Sequence, residues 1–191
     1  MVIGITGSIA SGKSLVSNYL KQKKYNVNDS DKISHEVLLK EEVIKQITIC
    51  FGSEVLNNSK IDRKKLGNII FNDANKKEQL QNIVFPFILA EIKNQISAHE
   101  GIIFLDAPLL FEYNIEYLVN KIIVVDVDRK TQIERLTKRD NISKEYALSK
   151  INSQLPLEIK KQKADFIIDN NKDENETLKQ VDNILKLLEE K

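Results

Sequence analysis

The sequence predicts an α/β protein built on a five-stranded parallel sheet. Three observations carry that expectation. Apolar runs of strand length recur at Val2-Ile3-Gly4-Ile5, Ile102-Ile103-Phe104-Leu105 and Ile122-Ile123-Val124-Val125, continuous in the way of strands covered on both faces. Segments with apolar residues at three- and four-residue spacing separate them. Gly7-Ser8-Ile9-Ala10-Ser11-Gly12-Lys13-Ser14 fits G-x-x-x-x-G-K-[ST], and it stands between the first strand and a helix marked by Leu15, Val16, Tyr19 and Leu20. That context makes the motif a phosphate-binding loop.

The loop explains its own residue types. Its backbone N–H groups must turn inward to form an anion nest, and glycine reaches backbone angles that a Cβ forbids. The helix that follows aims unpaired N–H groups and a partial positive charge at the phosphates. Lys13 reaches the β- and γ-phosphates, and the Ser14 hydroxyl is placed to ligate Mg²⁺.

Tyr25-Asn26-Val27-Asn28 is a short second strand that runs into Asp29-Ser30-Asp31. Carboxylates just past a strand end lie where open α/β sheets bind ligands. Asp is also a favoured helix cap, and Ile33, Val37 and Leu38 continue at helical spacing. One carboxylate can cap while the other does chemistry. Residues 32–98 lack good strand runs and read as a helical insertion. Glu41 to Phe51 is an amphipathic helix ending near Gly52, and Cys50, inside its apolar run, is expected in the core. Asn57-Asn58-Ser59-Lys60 is a turn. Asp62 is placed to cap a helix that turns Leu66, Ile69 and Ile70 inward. Leu80, Ile83, Val84, Phe87, Ile88 and Ile92 form a further helical pattern, with a break or kink expected at Pro86 unless it opens the next helix.

Gly101 restarts the α/β pattern. The third strand ends at Asp106, either a Walker B carboxylate that supports Mg²⁺ or a strand-end cap. Ala107-Pro108-Leu109-Leu110-Phe111-Glu112 leaves the sheet as a loop fit to line a pocket. The fourth strand is Ile122 to Val127. Residues 129–163 carry ten basic and four acidic side chains in a chain whose net charge is +1. Charge runs are commonly solvated faces. Beside a phosphate loop, the sharper reading is a lid whose arginines close on phosphates. Its helices are Thr131 to Arg139, which sets Arg135 and Arg139 one turn apart, and Ser143 to Asn152. The fifth strand, Ala164 to Asn170, precedes a last amphipathic helix with Leu178, Val181, Ile184, Leu185 and Leu188.

Composition bounds the function. With 191 residues, 41% of them apolar, one core with attachments is expected. The near-neutral charge argues against a nucleic-acid partner. One cysteine and two histidines exclude an internal disulfide and a typical zinc site. No apolar run approaches the roughly 18 residues of a membrane helix, and the amino-terminal strand is unlike a signal peptide. A cytoplasmic protein without a membrane partner is expected.

The ordered set of segments resembles the dephospho-CoA kinase family along nearly the whole chain. The resemblance is carried by Gly4 to Ser14, by Asp29-Ser30-Asp31 with Glu36-Val37, and by Asp62-Arg63 with Leu66 and Phe71. Pro108-Leu109-Leu110-Phe111-Glu112, Arg135-Leu136 with Arg139, Gln154, Ala164-Asp165 and Ile168-Asp169-Asn170-Asn171 complete it. It implies a P-loop kinase three-layer fold in one domain. The nucleotide-binding core would be residues 1–31, 99–128 and 164–191, the acceptor-binding insertion 32–98 and the lid 129–163.

The implied reaction moves the γ-phosphoryl of ATP to the ribose 3′-hydroxyl of dephospho-CoA, with Mg²⁺. Asp31 would orient that hydroxyl and accept its proton, and Lys13 and Arg139 would serve the phosphates. ATP would meet Ser8, Ile9, Ala10, Ser11, Gly12, Lys13, Ser14, Leu15, Arg135, Arg139 and Asn170. The acceptor would meet Asp31, Arg63, Pro108, Leu109, Leu110 and Glu112, and the metal Ser14 and Asp106. A monomer or weak homo-oligomer is expected.

The family usually has glycine at the positions of Ser8 and Ala10, a second hydroxyl at Leu15 and a His at Phe85. A residue at 8 or 10 that needs positive φ would be strained. A nucleoside monophosphate kinase would share this donor site and differ in the acceptor pocket. A GTPase switch fits less well: Asn171-Lys172-Asp173-Glu174 puts Glu where guanine recognition wants Asp, and no D-x-x-G follows Asp106.

Overall fold

A computed structural model describes residues 1–71 and 73–189. They fall into two compact units, one made of Met1–Asn28 and the chain from His99 onward, the other of Asp29–Ala98.

In the first unit, β1 (Val2–Gly7) leads through the phosphate loop into α1 (Lys13–Gln22), and β2 begins at Asn26 (Asn26–Asp29). After the excursion come β5 (Ile103–Asp106), β6 (Lys121–Asp126), α6 (Arg129–Asp140), α7 (Lys144–Asn152), α8 (Leu157–Gln162), β7 (Phe166–Asp169) and α9 (Glu174–Glu189). The strand order is β2-β5-β1-β6-β7. The first strand is therefore central, paired in parallel with β5 and β6, and β6 pairs in parallel with β7. The register sets Ile5 beside Asp106, Gly7 beside Val125, and Asp126 beside Asp169. The loop, Asp106 and the residues after β7 thus gather at the carboxyl edge of the sheet, the edge at which such sheets bind ligands.

The core explains the apolar runs. Ile3, Ile5, Phe104, Ile123, Val125 and Ile168 from the strands pack with Val16 and Leu20 of α1 and with Val181, Ile184, Leu185 and Leu188 of α9. Each such side chain contributes about 1.5–3 kcal/mol by leaving water. Gly4 has a packing reason: a Cβ there would stand 3.1 Å from Leu110 and 3.3 Å from Val119. A third helix, α8, adds to the expected pair after Pro156, which sits at its start as the N-cap.

The second unit holds α2 (Ser30–Val37), α3 (Glu41–Phe51), a small hairpin of β3 (Leu56–Asn57) and β4 (Lys60–Ile61), α4 (Arg63–Ile70) and α5 (Ala74–Ser97). The expected turn at Asn58-Ser59 is the tip of that hairpin, with both residues at positive φ. Two expectations fail here. The helix α5 runs through Pro86, so Pro86 neither breaks the helix nor opens a new one. A mid-helix proline costs about 3 kcal/mol, but α2, α3 and α4 all pack along α5, and Val84 and Ile92 are buried on either side of Pro86. Tertiary packing outweighs the local penalty. Cys50 is exposed, not core. The buried stripe of α3 is Val43, Ile47 and Phe51; Cys50 lies at its margin, with its Sγ 3.7 Å from Gln79 Oε1, and Ile49 is 77% exposed. An apolar run along a helix is not an apolar face.

Candidate active site

Gly12 ends the phosphate loop at φ 93°, and no side chain caps α1. The first N–H groups of the helix are therefore left for a ligand. A Cβ on Gly12 would collide with the Asn170 side chain, so position 12 requires glycine on two counts. Of the two expected departures, only Ala10 meets the strained condition: its φ is 61°, whereas Ser8 has no positive φ. Alanine in this left-handed region costs about 1–2 kcal/mol.

Lys13 Nζ forms an ion pair with Asp106 Oδ1. The other carboxylate oxygen accepts a bond from Ser17 Oγ at 2.5 Å. Ser14 is exposed at the head of α1, and Leu15 is half-buried beside it. Ser17 was not among the expected site residues. Its signal was a hydroxyl four residues after Lys13, on the helix face that also buries Val16 and Leu20.

A second set of bonds shapes the loop from outside. Asn170, 4% exposed, donates from Nδ2 to the Ser11 carbonyl at 2.8 Å and accepts at Oδ1 from Thr177 Oγ1 at 2.8 Å. Arg135 Nη2 donates to the Asn170 carbonyl at 2.9 Å, while its buried Nη1 has no hydrogen-bond partner. Gln132 Nε2 donates to Ser8 Oγ at 2.7 Å and to the Ile9 carbonyl at 2.8 Å. Gln154 Oε1 accepts from Ile9 N–H at 2.7 Å and from Ser8 Oγ at 3.1 Å. Ile9 and Ala10 also pack against the small core of Leu136, Ala147 and Ile151.

Lys160 is fully buried. Its Nζ donates to the Gly7 carbonyl at 3.1 Å and the Pro108 carbonyl at 3.0 Å, and pairs with Glu112 Oε1 at 2.8 Å. The same Glu112 oxygen accepts the Leu155 N–H at 3.0 Å. Nothing local in Lys160-Lys161 signals this burial; Lys161, next along, pairs with Asp126 at 2.9 Å. Leu110 is wholly buried against Gly4, while Pro108 and Leu109 are half-buried.

Arg139 is exposed. Its Nε donates to Asp140 Oδ1 at 2.8 Å, and Lys150 Nζ reaches Asp140 Oδ2 at 3.1 Å. The Arg139 guanidinium first, and Lys150 second, hold the Asp140 carboxyl at about 2, below its ordinary value.

In the second unit, Asp29 caps α2, accepting at Oδ1 from Asp31 N–H at 3.0 Å and Lys32 N–H at 3.1 Å. Asp31 lies in the first turn of that helix. Of the two carboxylates, then, Asp29 is the cap. Arg63 is the first residue of α4, exposed, after the Asp62 cap. The structure thus brings together Ser8, Ile9, Ser11, Gly12, Lys13, Asp106, Arg135 and Asn170 within the first unit, and sets Asp31 and Arg63 in the second.

The family model for dephospho-CoA kinase matches residues 1–176. A dephospho-CoA kinase of Oceanobacillus iheyensis is 46% identical over 191 residues, spanning 97% of this chain and 96% of its own length. The solved dephospho-CoA kinase of Campylobacter jejuni matches with a TM-score of 0.70 at 28% identity, covering 98% of this chain and 96% of that one. A solved Thermus thermophilus protein matches with a TM-score of 0.85 at 27% identity, covering 98% and 97%.

Proposed function

This chain belongs to the dephospho-CoA kinase family and is an ATP-dependent kinase, and from that premise we propose how its residues divide the reaction. The γ-phosphoryl of ATP passes to the ribose 3′-hydroxyl of dephospho-CoA; the bond from phosphorus to the β–γ bridging oxygen breaks, one to the 3′-oxygen forms, and ADP and CoA leave.

The observation that carries the donor half is the uncapped N-terminus of α1 behind Gly12, with Lys13 at its head. We assign the β- and γ-phosphates to Lys13 and to the N–H groups of the loop and first helical turn. Lys13 exchanges its Asp106 partner for phosphate oxygens, so one cation serves the carboxylate in the free enzyme and the nucleotide in the complex. Arg135, through its unpartnered Nη1, and Asn170, held against the loop, flank the nucleotide. Arg139 leaves Asp140 to meet the charge that spreads over the transferring group.

The metal that such chemistry uses is Mg²⁺, and the donors suit it. The exposed Ser14 hydroxyl and one Asp106 oxygen, released when Lys13 moves, give two hard oxygen ligands; a Mg²⁺ site takes the rest from water and substrate phosphates. When bound, the ion neutralises charge on the β- and γ-oxygens.

For the acceptor half, we assign Asp31 as the carboxylate that orients the 3′-hydroxyl and takes its proton. A carboxylate is a sufficient base because the transition state is loose and the proton leaves late. Asp29 already serves the helix end, which supports giving the chemistry to Asp31. Residues 32–98, with Arg63, and the Pro108–Glu112 loop, with Leu109 at its surface, cradle the acceptor. Leu110 supports that loop from the core, and Glu112 does so through Lys160. Residues 129–163, anchored on the loop through Gln132, Gln154 and Lys160, serve as the lid and bring Arg139 over the phosphates, which keeps water from competing for the phosphoryl group. The enzyme works in the cytoplasm as a monomer or weak homo-oligomer.

An assay coupling ADP release to dephospho-CoA, followed by locating the new phosphate on the product, tests this reading. Turnover with phosphate on the 3′-oxygen is expected. Phosphorylation of a nucleoside monophosphate with none of dephospho-CoA would overturn it.

A further inference from the structure

One residue of the phosphate loop, Ile9, is gripped through both of its backbone polar groups. The N–H of Ile9 donates to Gln154 Oε1 at 2.7 Å, and its carbonyl accepts from Gln132 Nε2 at 2.8 Å. A backbone N–H only donates and a carbonyl only accepts, so these partners fix both amides: Gln154 presents its oxygen and Gln132 its nitrogen. The Ser8 hydroxyl then has one consistent role. It accepts from Gln132 Nε2 at 2.7 Å and donates to Gln154 Oε1 at 3.1 Å.

Neither glutamine belongs to the loop. Gln132 lies on α6, 2% exposed, and Gln154 follows α7. The residue after Ile9 is Ala10 at φ 61°. A strained backbone of this kind persists only where its surroundings over-determine it, and the two bonds at Ile9, which fix the peptide units on either side of its Cα, do so.

We propose that Gln132 and Gln154 are positioning residues that hold the phosphate loop in its nucleotide-binding shape, and that the Ser8 hydroxyl joins them into one relay. Through these two side chains the α6–α7 segment sets ATP affinity by shaping the loop, beside the direct contacts assigned to Arg135 and Arg139. The proposal rests on the reading that this loop binds the phosphates of ATP.

The polarity of the relay supplies the test. Gln132 acts through a donor and Gln154 through an acceptor. Gln132→Glu removes the donor, whereas Gln154→Glu keeps an acceptor in place. Each puts one negative charge beside the same residue, Ile9, so the difference between them reads hydrogen bonding. Calorimetry of ATP without acceptor, and KM for each substrate with kcat, are the measurements.

Gln132→Glu is expected to weaken ATP binding about tenfold or more, the scale of a lost buried hydrogen bond, and to raise KM for ATP while KM for dephospho-CoA stays fixed. Gln154→Glu should stay within about threefold of the parent enzyme. The uncharged Gln132→Met should lose about as much as Gln132→Glu. Equal losses in the two Glu variants, unchanged affinity in Gln132→Met, or a matching rise in both KM values would overturn the proposal. If substitutions at 132 do not fold, Ser8→Ala, which removes only the hydroxyl, decides: a severalfold loss is expected, and parental ATP affinity would sink the relay. A parent enzyme that binds no ATP at all would instead remove the underlying reading.

Discussion

The two units bury different chemistry. Among the described residues, every buried polar or charged side chain lies in the first unit, including Ser8, Ser17, Asp106, Gln132, Lys160 and Asn170. Among its described residues, the second unit buries only apolar side chains, such as Ile33, Val37, Val43, Ile47, Leu66 and Ile92. Its side-chain hydrogen bonds include the helix caps at Asp29, Asp62 and Asp73 and the ion pair of Lys40 with Glu91. Buried polar groups are costly unless satisfied, and satisfied networks rigidify. The first unit carries that cost around one loop, which is what a site for a highly charged donor requires: dipoles already in place before charge moves. The second unit is organised as an ordinary amphipathic helical assembly, with its charges in water.

That contrast can be broken at either end. The largest expected effect is chemical and comes from the second unit. Asp31→Asn should lower kcat by about 10²–10⁴, the range for a general base, and leave ATP affinity as it was. Near-normal turnover would remove Asp31 as the base, and a parallel loss of ATP binding would blur the division between the units. Next is Lys160→Met in the first unit. It leaves Glu112 without its buried cation and should destabilise by about 3–5 kcal/mol, read as a fall in the denaturant midpoint. A loss below about 1 kcal/mol would mean that the buried network is not what holds the loop.

A smaller effect of opposite sign should follow Ala10→Gly. Releasing the left-handed strain, less the added freedom of the unfolded chain, should stabilise by about 0.5–1 kcal/mol, seen as a higher Tm. Smallest of all, Cys50→Ser on the margin of α3 should change stability by less than about 0.5 kcal/mol. A larger loss would place Cys50 in the core after all.

Legibility followed the range of the interaction. The sheet could be read because continuous apolar runs and a loop motif are local, and so could the cap Asp62, whose signal lies within three residues. Pro86 misled because its local penalty is real but is outweighed by three helices packed along α5. Cys50 misled because composition along a run was read as a face. In the site, Lys13, Asp106 and Asn170 could be named from motif and resemblance. Gln132 left one trace, a polar residue four positions before buried Leu136 on the inner face of α6. Lys160 left none, since its three acceptors come from Gly7, Pro108 and Glu112.

The bond from Lys160 to Gly7 joins residues 153 positions apart, and this bears on the order of assembly. The phosphate loop is made well before α8, the segment that secures its base. The central strand β1 likewise waits for both its neighbours, β5 and β6. Contacts so distant in sequence are slow to form, so a chain still being synthesised carries the phosphate-binding motif long before it has a phosphate-binding site. A nascent chain halted before α8 should show no nucleotide-dependent protection from protease, while a chain extended through α9 should show it.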